Sequence, residues 1–349
     1  MNTSTIPHIK GTKINTPNEL IEILTQESEK KNFLFRGQSN SDFRLLPNFF
    51  RPGKIEELIY SYPSQDAMPH WITSRALEKI ISTNLIPYGS LILTPEKMLV
   101  FEKLKPLFRL YQIIMVYNYH LHKYHEIAFA NLLTDRTRDS IFWTKKDSFL
   151  HFIENTLPRL LTLIGEDGRI IKHGTIEEDL TGIDETYPQH YDASTAALDW
   201  TYNFRIALFF ALDIWGYADD ATDIHITNRK INPASSLSIF VYEELINAEC
   251  PVIIKPRTEL IENERAKAQE GTFTYFSTPC SFYLKNARFP SIDDYYHDIK
   301  MGLFPKTFLL KKYDLPLSMQ NQIWLLEHLN HHDINQKTLK LFNKSKHAD

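Results

Sequence analysis

The stretch FLFRGQSNSDFRLLPNFFR, residues 33–51, decides how the chain is read. Phe33, Leu34 and Phe35 form a short apolar run of strand type that breaks at Arg36-Gly37. The pattern predicts a buried strand with an arginine at its end. Followed by a residue free to take φ > 0, that arginine aims five fixed donors into a cleft while the backbone passes close to a ligand. A phosphate or carboxylate suits such a fork, because it accepts two parallel hydrogen bonds. A structural ion pair beneath a turn satisfies the same residues, so the stretch alone leaves both readings open. Beyond it, Pro47 and Pro52 predict an irregular connection over residues 48–53.

Working outward, Thr16-Pro17-Asn18-Glu19 is a capping box with proline at the first helical position. It predicts a helix from Pro17 to about Lys30 with Leu20, Ile23 and Leu24 on one face; residues 1–15 read as a tail or an edge segment. Residues 54–165 carry almost only helical signals, with helices expected at 56–61, 66–84, 94–133 bent at Pro106, and 146–164 broken at Pro158. Residues 108–117 are apolar nearly all round, as in a buried helical layer. Next, residues 187–212, YPQHYDASTAALDWTYNFRIALFFAL, read as a polar turn and then a buried helix over 202–214 capped by Thr201 or Asn203. The final third turns to strands at 237–242, 252–255, 271–277, 281–284 and 307–311, with helices at 258–267, 291–301, 317–329 and 334–342.

Composition narrows the classes. With 349 residues, 43% hydrophobic and 23% charged, the chain is a globular protein long enough for a real core, and disorder is excluded for most of it. A net charge of −4, from 39 basic and 43 acidic residues, gives no global field for DNA or anionic lipid. Nucleic-acid binding is therefore left to a local patch such as Arg136, Arg138, Lys145 and Lys146 around Phe142 and Trp143, which an exposed loop explains equally. Cys250 and Cys280 read as reduced core residues. The start MNTSTIPHIKG lacks the features of a signal peptide and no uncharged stretch reaches membrane-spanning length, so a cytoplasmic protein with no membrane partner is expected. His122 and His125 share a helix face while His120 points away, which argues for a polar face and no metal. His331-His332 read as a solvated turn. Neither a phosphate-binding glycine loop nor an HExxH or GxSxG motif occurs.

Three clusters far apart in sequence are rich in the same kinds of group. They are Phe35-Arg36-Gly37; Gln189-His190-Tyr191 with Thr195 and Asp199-Trp200; and Arg265 with Gln269 and Gly271. Taken singly, each has a plain structural reading: a satisfied histidine, a helix-capping aspartate, a turn glutamine.

These residues resemble the FRG domain, named for an aromatic-Arg-Gly motif and found mostly in uncharacterised bacterial and phage proteins. Its QHYG-x-P-T-R-L-L-D-W-T segment, which precedes a small apolar helix, is similar to QHYDASTAALDWT followed by IALFFA here. Its R-x-x-A-Q-x-G-x-F element is similar to Arg265, Ala268, Gln269, Gly271 and Phe273, and the resemblance extends from about Phe33 to Phe342. Departures are Asp192-Ala193-Ser194 in place of a glycine-containing turn and proline, Ala196 in place of an arginine, and Ala197 in place of a leucine. The missing arginine would weaken a second anion contact.

The order of the motifs is in turn similar to the layout of ADP-ribosyltransferase-like folds. The resemblance implies an α+β fold, a single FRG-type domain over 1–349 with a small mixed, mostly antiparallel sheet and a large helical layer. Its parts would be an N-terminal helix in 1–32, a helical insertion in 54–165, a strand-rich part in 237–312 and C-terminal helices in 313–349. It implies NAD as substrate, for ADP-ribose transfer or NAD hydrolysis, in a toxin or antiviral-defence effector. A macromolecular acceptor or a regulatory partner protein goes with that role. In that site Arg36 holds phosphate, His190 and Thr195 position the ribose, Asp199 orients His190 or Arg36, and Gln269 faces the reaction centre. Phe35, Gly37, Trp200 and Arg265 line the substrate pocket. Breaking the nicotinamide bond passes through an oxocarbenium-like state that a carboxylate or aligned dipole stabilises. Strand alternation sends Gln269 and Glu270 to opposite faces, which leaves Glu270 solvated. The alternative is a non-catalytic module that binds a nucleotide or a partner in the same cleft.

Overall fold

Strand pairing over long sequence separations defines the fold. A computed structural model describes residues 8–30, 33–60, 109–110, 113, 195–212, 236–245, 251–254, 264–277, 279–303, 306–339 and 341. It divides the chain into two compact units: residues 1–47, 197–277 and 291–349 form the first, and residues 48–196 and 278–290 the second.

The first unit is α+β. Its sheet has the order β1 (Thr12–Lys13), β7 (Phe308–Pro316), β4 (Ser236–Glu244), β2 (Leu34–Gln38), β3 (Leu198–Thr201), β6 (Gly271–Phe276), β5 (Val252–Ile254). Only β1 pairs in parallel, with β7; every other neighbouring pair is antiparallel. The mixed, mostly antiparallel sheet expected from sequence is therefore present, and with seven strands it is larger than a small sheet. Central β4 and β7 run in register for nine residues, from Ser236 opposite Pro316 to Glu244 opposite Phe308.

Alternation along the strands gives the sheet two different faces. One face, with Phe35, Leu237, Ile239, Val241, Tyr313 and Leu315, packs with α1 (Pro17–Ser28), α3 (Phe204–Ala211) and α7 (Met319–His331) in one core. Leu20 and Leu24 enter it from α1, as their spacing predicts, and Leu325 and Leu329 enter from α7. α1 starts where its capping box says, with Thr16 Oγ1 accepting from Glu19 N at 3.3 Å. The other face carries Leu34, Ser238, Phe240, Tyr242, Trp200, Thr272 and Thr274, all buried. A short helix α4 (Glu264–Ala268) leads into β6, and α6 (Ile292–Lys300) opens with a capping box of Ser291 and Asp294. Buried Asp293 accepts from Leu45 N at 2.8 Å, which fastens the loop after β2 to α6. Burial raises the Asp293 carboxyl, against the pull of that backbone bond and of Arg44 and His8.

The second unit contains a 3-10 turn at Asn48–Phe50, α2 (Lys54–Tyr60) and α5 (Pro279–Asn286). Phe50 and Phe289 stack at 4.2 Å, with Phe49 6.3 Å and Tyr283 4.8 Å from Phe289. The remainder of the helical region expected over 54–165, with His120, His122, His125 and the basic patch at 136–146, lies outside the described residues.

Several local expectations are corrected. Residues 281–284 belong to helix α5 and not to a strand, because Pro279 sets a helix start ahead of the aromatic residues. Residues 334–339 form turns in place of a helix, with Asn335 and Thr338 bonding each other's backbone and side chain. Residues 48–50 are a 3-10 turn. LDWT, expected as part of a polar turn, is strand β3.

Candidate functional site

β2 does not end at Arg36-Gly37; it continues to Gln38, and Arg36 lies opposite Phe240 in the ladder with β4. Gly37 does not take positive φ either. Its small size has another cause. A Cβ there would fall inside the contact distance of the Ala207 carbonyl oxygen and 2.8 Å from the Ala211 nitrogen. The glycine lets α3 lie directly on the strand. Phe35, on the same face, meets the Phe204 ring edge-on at 6.1 Å. An aromatic residue two positions before the glycine thus fills the space beside the close approach, and the apolar helix IALFFA supplies the surface.

Arg36 points to the opposite face. Between β2 and β3 the ladder has one pair, Phe35 with Thr201. Past that pair Arg36 Nη1 donates to the Asp199 carbonyl oxygen at 2.5 Å and stands 3.7 Å from the Asp199 carboxylate. The guanidinium thus continues sideways where the ladder stops. Its side chain is 14% exposed and that of Asp199 is 55% exposed. Both readings of Arg36 meet here: it is built into the sheet, and its charge partner lies mostly in solvent.

The second and third motifs join at the end of β3. Trp200 is buried, donates from Nε1 to Thr274 Oγ1 at 2.8 Å and packs its ring 5.4 Å from that of Tyr242. Thr201 Oγ1 donates to the Gln269 carbonyl oxygen at 2.8 Å, and Tyr202 N donates to the Glu270 carbonyl oxygen at 3.0 Å. Asn203 caps α3 through its Oδ1 and Arg205 N, while its Nδ2 donates to Glu270 Oε1 at 2.9 Å. One asparagine therefore connects the start of α3 to the turn before β6.

That turn corrects the reading of Gln269 and Glu270. They lie between α4 and β6 and not on a strand, so alternation does not sort them. Glu270 takes φ of +45° and is half-buried and bonded to Asn203, so it is not simply solvated. Gln269 Nε2 donates to the Leu339 carbonyl oxygen at 3.3 Å. Arg265, half-buried on α4, accepts from Gln269 N through its carbonyl. Ala197 packs with Ala266 and Phe273 in a small cluster, where a larger residue is common in the family it resembles.

The structure thus brings Phe35, Arg36, Gly37, Asp199, Trp200, Arg265 and Gln269 into the first unit, on or beside the neighbouring strands β2, β3 and β6. Thr195 belongs to the second unit, where it is buried and its carbonyl accepts from Phe49 N at 3.1 Å. His190 lies outside the described residues. Asn203, expected with Thr201 as a candidate cap, is the cap of α3; what sequence reasoning missed is its bond to Glu270.

A family model for the FRG domain matches residues 172–216, the segment that ends in β3 and α3. Over those residues the chain is similar to the FRG domain. Comparison with curated proteins and with solved structures found no match. Among the described residues no helix is long and apolar enough to cross a membrane, and no group of three or more His, Cys, Asp or Glu side chains is placed to hold a metal ion.

Proposed function

We propose that this protein binds NAD beside Arg36 and is an ADP-ribosyltransferase-like enzyme, acting by ADP-ribose transfer or NAD hydrolysis as a toxin or antiviral-defence effector. The observation that carries the reading is the loose half of the Arg36–Asp199 contact. The guanidinium is held by the Asp199 carbonyl at 2.5 Å, whereas the Asp199 carboxylate stands farther off, at 3.7 Å, and is mostly solvated. An ion pair of that kind contributes about 1 kcal/mol or less, so an incoming pyrophosphate displaces it at small cost while the carbonyl keeps the arginine in place. The adjacency of β2, β3 and β6 supports the grouping of Arg36, Asp199 and Gln269 in one role. Glu270, in its left-handed turn, adds a carboxylate to the same neighbourhood of strands.

A second reading has its own observation. Gln269 is tied to the Leu339 carbonyl and Glu270 to Asn203, bonds that a purely structural joint would use. In that reading the protein is a binding module for a nucleotide or for an acidic group of a regulatory partner. Incubation with NAD separates the two. The enzymatic reading expects release of nicotinamide by the wild type and a loss of at least about tenfold in Arg36→Ala, with the circular dichroism spectrum retained. Absence of release, or equal release by the variant, overturns it, and NAD binding without release selects the module.

A further inference from the structure

A cationic corner on the other side of α3 is not used by the FRG motifs. α7 carries Trp324, His328 and His331, and His332 caps it. The His328 ring stacks on Trp324 at 5.3 Å with 10° between the planes and lies 4.6 Å from the His332 ring, which is 5.6 Å from His331. From α3, the Arg205 guanidinium stands over the Phe204 ring at 4.6 Å. Burial first, then His332, Arg205 and His331, hold the His328 imidazole below its usual value; burial, Arg205 and His331 do the same to His332. The charges acting on this corner therefore have one sign. Of the carboxylates nearest in sequence, Asp333 accepts from Asn335 and Glu327 on α7 is exposed to solvent. Two buried nitrogens, Arg205 Nε and His328 Nε2, have no hydrogen-bond partner among the described residues. A buried polar atom left unmet is destabilising, and an incoming acceptor relieves it.

We propose that this corner binds a phosphate group through Arg205, His328 and His332. A planar guanidinium grips two oxygens at once, and two imidazoles that are neutral in the empty corner gain protons as the dianion arrives. Negative charge from the ligand then replaces the repulsion among the three groups. Binding and protonation are coupled in both directions, so the anion draws protons onto the histidines and acid strengthens the anion's hold. The phosphate is either free or the terminal group of a nucleotide, and the corner acts independently of the NAD reading at Arg36.

The test titrates the full chain with sulfate, inorganic phosphate and ADP by calorimetry, and follows the histidine C–H resonances by NMR from pH 5.5 to 8. Sulfate stays doubly charged throughout, so its pH dependence reports on the protein alone. A rise of about one unit in one imidazole makes sulfate bind about tenfold tighter at the acid end. The expected result is saturable binding with that dependence, His328 and His332 titrating at higher pH in its presence, and loss of both effects in Arg205→Gln. The exposed His332→Gln change weakens binding and reduces the pH dependence while the circular dichroism spectrum is retained, which guards against a folding defect in the first variant. A response to ADP alone supports the site with a nucleotide as its source. Failure of all three anions to bind saturably, or binding that Arg205→Gln leaves unchanged, overturns the proposal.

Discussion

Lys311 and Lys312 are neighbours on β7 and face opposite sides of the sheet. Lys311 is on the helix-covered side, with its side chain 39% exposed and its Nζ 2.6 Å from Glu27 Oε1. Lys312 is on the other side, 4% exposed, donating to the carbonyls of Ser41 at 2.5 Å and Ile9 at 3.2 Å and standing 3.6 Å from Asp314. β2 is divided in the same way, with Phe35 and Gly37 against α3 and Arg36 on the far side. The helix-covered face is closed by shape and carries its charges at the rim. The other face is just as buried, with Leu34, Phe240, Tyr242 and Trp200, and adds the charged groups Arg36 and Lys312 that reach backbone carbonyls, so part of its order depends on hydrogen bonds.

The largest break in this comparison is expected from Gly37→Ala. The added methyl meets backbone of α3, which has no rotamer to yield, so the loss reaches or exceeds about 3 kcal/mol, the top of the overpacking range. Arg36→Ala, one residue earlier and on the other face, removes one charge-assisted bond to a carbonyl and costs about 1–3 kcal/mol. Urea unfolding of both variants measures the difference; equal midpoints would show that the motif's glycine is not set by the helix approach.

Next comes the pair of lysines. Lys312→Met removes the donor from two backbone carbonyls and the charge beside half-buried Asp314, an unpairing that costs about 3 kcal/mol. Lys311→Met leaves Glu27 with Lys30 and Tyr313 as partners and costs about 1 kcal/mol or less. A thermal melt in which Lys311→Met is the more damaging change reverses the assignment of the polar face as the one held by buried donors.

How far these features were legible follows the same division. α1 was readable because a capping box and a proline act within four residues of sequence. β4 was readable because Ile239, Phe240, Val241 and Tyr242 form an unbroken β-branched and aromatic run within it. β3 was hidden: four residues containing an aspartate read as a turn, and only its neighbours β2 and β6 make it a strand. The motif residues were found as a set, but their reasons were tertiary. Gly37 answers to Ala207 and Ala211, about 170 residues away in the chain, and no spacing rule predicts such an approach. Glu270 was misread because strand alternation was carried back to it from the strand expected at 271–277; its bond to Asn203 depends on a turn that alternation cannot describe.

The smallest effects separate the faces by pH. On the helix-covered face Glu27 accepts from Lys311, Lys30 and the Tyr313 hydroxyl. Burial by itself raises the Glu27 carboxyl, but the two lysines outweigh it and bring the group below its usual value. A carboxyl lowered by folding adds stability above its unfolded value, about 4.3, and loses that contribution as pH falls through the folded value. Tyr313 moves the other way: burial, then the charge and hydrogen bond of Glu27, push it up to about 12. A hydroxyl raised by folding adds stability below its unfolded value, about 10, and loses it as pH climbs toward the folded one. Glu27→Gln therefore flattens the acid side of the melting-temperature profile, from the unfolded value of about 4.3 downward. It also lets Tyr313 ionise at lower pH, visible as an earlier rise in tyrosinate absorbance in the difference between wild type and variant. Lys312→Met leaves Glu27 with Lys311, Lys30 and Tyr313, so the acid limb that Glu27 provides should persist in it. An acid limb that survives in Glu27→Gln and disappears in Lys312→Met would move the acid sensitivity to the polar face and remove the contrast drawn between Lys311 and Lys312.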